Sequence, residues 1–207
     1  MRNRNNWAIS NSKMKGEETM CFRSLILASI LTLILMLDLA PAWSSDSFLP
    51  SFGKGPIKVT LYTDYFCPPC RAMEPQLEPL IVELMKKEKI HLTFVDTPIY
   101  QYSPLYARYF LYALNVKRDF HNALFVRNTL FAAAESQVVE RKKLEDLLRQ
   151  KGIVFLPFDP APIFEVWNRL LKEDKIESTP TLVITQGIKK DLAKGSTDII
   201  KALSELK

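Results

Sequence analysis

Ile57-Lys58-Val59-Thr60-Leu61-Tyr62-Thr63-Asp64-Tyr65-Phe66-Cys67-Pro68-Pro69-Cys70 decides the fold. Its first seven residues alternate and are rich in β-formers, which predicts a strand over 57–63. The two prolines after Cys67 suit the first turn of a helix, where a missing N–H leaves nothing unsatisfied. Arg71 to Glu88 continues in a helical pattern, with Pro75 expected to kink it and Pro79 a second strain one turn on. Ile90–Val95 is again β-rich, so the stretch closes a β-α-β unit. A cysteine at a helix N-terminus meets unpaired N–H groups and the positive end of the dipole, both of which favour a thiolate. Cys70, one turn inside, is placed to close a disulfide with it. Redox exchange is the reading these residues favour. An inert disulfide and half of a metal site are the alternatives, and a zinc site normally wants four ligands. Only His91 and His121 are at hand to supplement the pair, and neither is close to it in sequence.

Downstream of this unit the pattern is helical. Leu105–Asn115 and Phe120–Ala134 carry apolar residues at i, i+3 and i+4. Ser136 is a candidate cap for a helix through Gln150, and Pro162 for one running to Lys172. Thr181–Thr185 reads as a strand, Gln186-Gly187 as a turn into Ile188–Leu192, and Asp198–Leu206 as a closing helix. The order is β-α-β, a block of helices over about 103–174, then β-β-α. The aromatic residues of the block, Tyr100, Tyr102, Tyr106, Tyr109, Phe110, Tyr112, Phe120, Phe125 and Phe131, read first as core and second as a peptide groove. Lys142 and Lys143 with Glu140 and Glu145 read as a solvated helix face.

Upstream, Leu25–Leu37 is a nearly continuous apolar run closed by Asp38. It is too short for a bilayer span, which takes roughly 20 residues, and fits the core of an export signal. Arg23 and the earlier Arg2, Arg4, Lys13 and Lys15 supply a basic flank, and Ala40-Pro41-Ala42 a cleavage pattern. Residues 1–42 are therefore expected to be a signal peptide or N-terminal anchor, 43–55 a linker, and 56–207 the folded domain, outside the cytoplasm in either case. The whole chain of 207 residues carries +5; without residues 1–42 it keeps 23 bases and 20 acids, a net of +3. No basic run with interleaved aromatics remains there, which argues against nucleic acid as a partner. Two cysteines remain, in a compartment where disulfides persist.

With these residues in hand, the chain resembles the DsbA-like thiol-disulfide oxidoreductases of the thioredoxin fold, an α/β architecture with a helical insertion between its two halves. Tyr65-Phe66-Cys67-Pro68-Pro69-Cys70 is similar to that family's active-site stretch, Pro75 to its kink proline, and Glu177–Ile184 to the segment that carries its cis-proline. Phe120–Phe125 resembles a stretch within the insertion. The resemblance implies that Cys67 is the attacking sulfur and Cys70 the resolving one. It also implies that Pro180 faces them in the cis form, that the Thr179 backbone pairs with an extended substrate, and that Phe66 borders the substrate site. It implies no cofactor and no metal, with protein or peptide thiols and disulfides as partners, a membrane redox partner, and a periplasmic or other extracytoplasmic location. A metal- or client-binding module with copper or zinc at the CxxC is the alternative function. The sequence departs from the family twice. Leu61 stands where an acid often lies six positions before the first cysteine, with Asp64 nearer but shifted. Pro-Pro replaces the Pro-His of strongly oxidising members, so the pair is expected to be less oxidising than about −120 mV. The direction of exchange is left open by these residues.

Overall fold

A computed structural model describes residues 49–207; the expected signal or anchor over 1–42 lies outside the described residues. Five strands form one sheet: β1 (Ser51–Phe52), β2 (Ile57–Thr63), β3 (Ile90–Asp96), β4 (Thr181–Gln186) and β5 (Lys189–Lys194). The order across the sheet is β1-β3-β2-β4-β5. β2 and β3 run parallel, with Thr63 level with Asp96, while β4 pairs antiparallel to β2 and β5 antiparallel to β4. Helix α1 (Pro68–Lys86) makes the β2–β3 crossover, and α6 (Ser196–Glu205) packs beside it. Between the two halves lie α2 (Ser103–Val116), α3 (Phe120–Glu135), α4 (Arg141–Gln150) and α5 (Ala161–Glu173). This is the α/β arrangement the sequence predicts, insertion included.

Alternation along β2 divides the core in two. Val59 and Leu61 face the larger cluster, with Met73, Leu77 and Ile81 of α1, Ile199 and Leu203 of α6, and apolar residues of α2, α3 and α4. Tyr62 faces the smaller one, with Ala107 and Leu111 of α2 and Ile163 and Trp167 of α5. The insertion thus contributes to the hydrophobic packing of both clusters rather than standing apart as a lobe.

Three local expectations change. The linker expected over 43–55 ends early: Ser51 and Phe52 add an antiparallel edge strand to β3, Phe52 is buried, and the Ser51 and Thr93 hydroxyls lie 2.8 Å apart. Gly55 then passes so close to β3 that a Cβ there would lie 2.1 Å from the Ile90 nitrogen. Helix α1 begins at Pro68, ahead of Arg71, and runs on through Pro75 and Pro79. Each interior proline forgoes a hydrogen bond, a loss of about 3 kcal/mol, yet the buried stripe Met73, Leu77, Ile81 and Leu84 holds the helix in place. Ser136 ends α3 rather than opening α4: its amide donates to the Ala132 carbonyl, and Gln137 follows at a φ of 53°. The cap position of α4 falls to Glu140.

Candidate active site

The register of β2 and β3 sets the ground of the site. Beyond Thr63, the Thr97 amide donates to the Thr63 carbonyl at 2.8 Å, so the two strand ends stay joined. Asp64 follows, buried, and its carboxylate accepts from the Phe66 amide (2.7 Å), the Ile99 amide (2.7 Å) and the Ser103 hydroxyl (2.7 Å). Its carbonyl accepts from the Cys67 amide at 3.2 Å. Asp64 therefore ties the turn before Cys67 to the loop between β3 and α2. Leu61, where the family often has an acid, is fully buried in the apolar core.

Cys67 occupies the N-cap of α1, with extended backbone angles, and Pro68 and Pro69 take the first two helical positions. Because neither proline has an N–H, the first free amide of the helix belongs to Cys70. That is the third helical position, from which an N-cap side chain ordinarily draws a hydrogen bond. As a thiol Cys67 makes no cap bond. Its acidity nevertheless rises: a hydrogen bond from the Cys70 thiol is the largest cause, with smaller help from the Thr179 side chain and the Cys70 amide. Burial and the Asp64 charge oppose these, and the thiol settles at about 6. Burial pushes the Cys70 thiol far the other way. Cys67 keeps 4% of its surface exposed and Cys70 none, so Cys67 is the sulfur that solvent can reach.

The segment before β4 closes the other side. The Thr179–Pro180 peptide bond is cis, and the Cys67 thiol donates to the Thr179 carbonyl at 3.4 Å. Pro180 is buried, and its carbonyl accepts from the Gly195 amide at 2.9 Å. The Ser196 hydroxyl at the start of α6 donates to the Pro69 carbonyl at 3.0 Å. The structure thus brings Cys67 and Cys70, at the start of α1, together with Thr179 and Pro180, just before β4. Phe66 lies beside them, stacked edge-on against Tyr106 at 4.8 Å. His91 and His121 lie away on β3 and α3, and among the described residues no group of three His, Cys, Asp or Glu could hold a metal ion.

The chain belongs to the thioredoxin family. Its family model matches residues 53–201. No curated protein matches the sequence. Among solved structures, the catalytic domain of Proteus mirabilis ScsC is 17% identical, with a TM-score of 0.60 over 79% of this chain and 91% of that one. A periplasmic thioredoxin-like protein from Salmonella enterica serovar Typhimurium is 18% identical, with a TM-score of 0.58 over 76% and 88%. Pseudomonas aeruginosa DsbA2 is 16% identical, with a TM-score of 0.54 over 76% and 93%. At these identities the likeness is one of fold, and the fold is the DsbA-like form of the thioredoxin family.

Beneath the thioredoxin-type site lies a charged cluster that sequence reading passes over. Arg127 of α3 is fully buried; its Nη2 donates to Glu74 Oε1 at 2.7 Å and to Thr63 Oγ1 at 3.2 Å. Its guanidinium lies over the Phe94 ring, 4.3 Å from the centroid. Nη1 stands 3.6 Å from Asp96 Oδ1, too long for a hydrogen bond, and both atoms lack a hydrogen-bond partner. Tyr65, two residues before Cys67, donates from its hydroxyl to Asp96 Oδ2 at 3.2 Å. The cluster therefore reaches both flanks of the active-site turn, through Tyr65 before it and Glu74 after it. The only signal in the sequence is a lone charged residue, Arg127, in the otherwise uncharged stretch Leu124–Phe131.

Proposed function

We propose that the protein is an exported thiol-disulfide oxidoreductase that exchanges disulfides with protein substrates through Cys67 and Cys70. The observation that carries this reading is the asymmetry of the pair: one acidified, marginally exposed sulfur at a helix N-cap and one buried sulfur of raised pKa behind it. In the reducing sense, the Cys67 thiolate attacks a substrate disulfide, forms a mixed disulfide and releases one substrate thiolate. Cys70 attacks the Cys67 sulfur, the S–S bond to the substrate breaks, and the proton of Cys70 passes to the departing substrate sulfur, which leaves as the second thiol. Two electrons pass to the substrate and the enzyme ends with a Cys67–Cys70 disulfide. The reverse sequence donates that disulfide to a dithiol. Which sense prevails depends on the potential of the pair against its compartment.

Phe66, Thr179 and Pro180 border the substrate in this reading, with the Thr179 backbone available to an extended chain. Export is supported by the apolar run over 25–37 with its basic flank and by the periplasmic source of a similar fold. Among the described residues no helix is long and apolar enough to cross a membrane. In this reading a membrane redox partner resets the pair after each turnover.

The test is a trap. Cys70→Ser cannot resolve the mixed disulfide, so incubation with a polypeptide bearing a disulfide should yield a stable one-to-one adduct. Peptide mapping should place the adduct on Cys67, and Cys67→Ser should give none. An adduct formed equally well by Cys67→Ser, or stoichiometric copper or zinc with no adduct, would overturn the reading in favour of a binding module.

A further inference from the structure

Asp64 is only 1% exposed, yet its carboxylate accepts four hydrogen bonds. The Phe66 amide and the Ser103 hydroxyl reach Oδ1, each at 2.7 Å; the Ile99 and Tyr100 amides reach Oδ2 at 2.7 and 3.4 Å. A carboxylate offers about four acceptor sites, so these donors leave no place for a proton from a thiol. None of the four is a cation, so N–H and O–H dipoles hold the charge and no ion pair among them cancels it. By contrast, Glu74 and Asp96 beneath the site share Arg127. The backbone of Asp64 holds Cys67 as well: its carbonyl accepts from the Cys67 amide at 3.2 Å. The charge therefore keeps a fixed relation to the sulfur whose thiolate it works against.

The elements around that sulfur bring little other charge to bear. Arg71, on the first turns of α1, gives Nη1 to the Phe66 carbonyl at 3.0 Å. Residues 97–107 carry no charged side chain. On the cis-proline side Glu177 pairs with Lys194 at 3.2 Å, and Asp198 lies exposed in the first turn of α6. We propose that Asp64 sets the redox poise of the pair, as a fixed negative charge that opposes the Cys67 thiolate and keeps the disulfide from being a strong oxidant. It is a positioning residue that acts on Cys67 by its field and takes no proton. This deepens the exchange reading and rests on it. In the couple, the Cys67–Cys70 disulfide and two glutathione thiols give the enzyme dithiol and glutathione disulfide, with two electrons passing to the enzyme. At neutral pH Cys67 then releases its proton to solvent and Cys70 keeps its own. A negative charge beside that thiolate disfavours it, and with it the reduced form.

The experiment equilibrates full-length wild type, Asp64→Asn and Asp64→Ser with glutathione, and follows Cys67 alkylation against pH. Both replacements remove the charge. The serine hydroxyl can still accept from the Phe66 amide, and it brings no amide to meet the Ile99 N–H. Each should move the equilibrium about tenfold towards the reduced enzyme, a potential about 30 mV less negative. Each should also lower the alkylation midpoint by about one pH unit from its wild-type value near 6. Ser103→Ala loosens the same tie and keeps the charge, so its potential and midpoint should stay with wild type. Shifts in Ser103→Ala equal to those in Asp64→Asn would make the role one of shape and overturn the proposal. An unchanged or more negative potential in the neutral variants, or failure of both to fold, would overturn it too, leaving exchange intact. A wild type that does not equilibrate with glutathione overturns the exchange reading itself, and the proposal with it.

Discussion

Cys67 and Cys70 are three residues apart and lie in opposite electrostatic settings. Cys67, at the helix cap, gains hydrogen bonds that favour its thiolate; Cys70, wholly buried, gains a desolvation penalty that disfavours one. The expected consequence is selective alkylation. With iodoacetamide the reduced protein should lose the Cys67 thiol in a process that rises through a pH near 6, while Cys70 stays unmodified at neutral pH. Mass spectrometry of the labelled peptide checks both points; a single step near the ordinary thiol range of about 8.5 would contradict them. The CxxC and the Thr-Pro before β4 are legible in the sequence because their chemistry is local: two prolines fix the helix start, and a short motif carries each sulfur. The part played by Asp64 is not local. Its partners are 35–39 residues away, at Ile99 and Ser103, and no spacing rule connects them.

At the level of elements, α3 is the one whose contribution reaches furthest. Through Arg127 it ties β2, α1 and β3 together beneath the active-site turn. Removing a buried cation leaves its partners uncompensated, so Arg127→Met should cost roughly 3–5 kcal/mol in denaturant unfolding. A loss under 1 kcal/mol would show that the carboxyls need no cation. Asp96 is the weaker partner. Burial outweighs the pull of Arg127 and raises its carboxyl to about 7. A folded pKa above the unfolded one means that the native state binds the extra proton, so this contribution is full below about pH 4 and is lost as pH rises through 7. Burial raises Glu74 in the same sense. Asp96→Asn should therefore flatten the decline in stability between about pH 4 and 7, which unfolding curves across that range would reveal; an unchanged slope would exonerate Asp96. The helices of the insertion are readable from their apolar periodicity, but their ends are not. Ser136 looks like an N-cap because serine suits that place, and it becomes a C-cap because Ala132 and Ala134 offer carbonyls first. β1 escapes notice for a different reason: two residues are too few to show alternation, and only the open edge of β3 makes them a strand.

For the whole molecule, the fold places Cys67 and Cys70 at the junction of the sheet, α1 and the cis-proline segment, beside the loop that opens the insertion. The order β-α-β, helices, β-β-α is legible because each strand and helix announces itself by period and the active-site motif orients the first half. The exposure of Ile99 and Tyr100 is not legible, since it depends on how the loop is tied to Asp64. The chemistry predicts a pair of intermediate character. The Cys67 thiol at about 6 falls between the values of about 7 in thioredoxin and about 3.5 in DsbA. A less stabilised thiolate makes the reduced form less favoured and the disulfide a weaker oxidant. Equilibration of the purified protein with glutathione, followed by quantification of the Cys67–Cys70 disulfide, measures this directly. The expected result is a two-electron couple with a potential between about −270 and −120 mV. A potential at or above about −120 mV, or a pair that does not equilibrate with glutathione at all, would contradict the account.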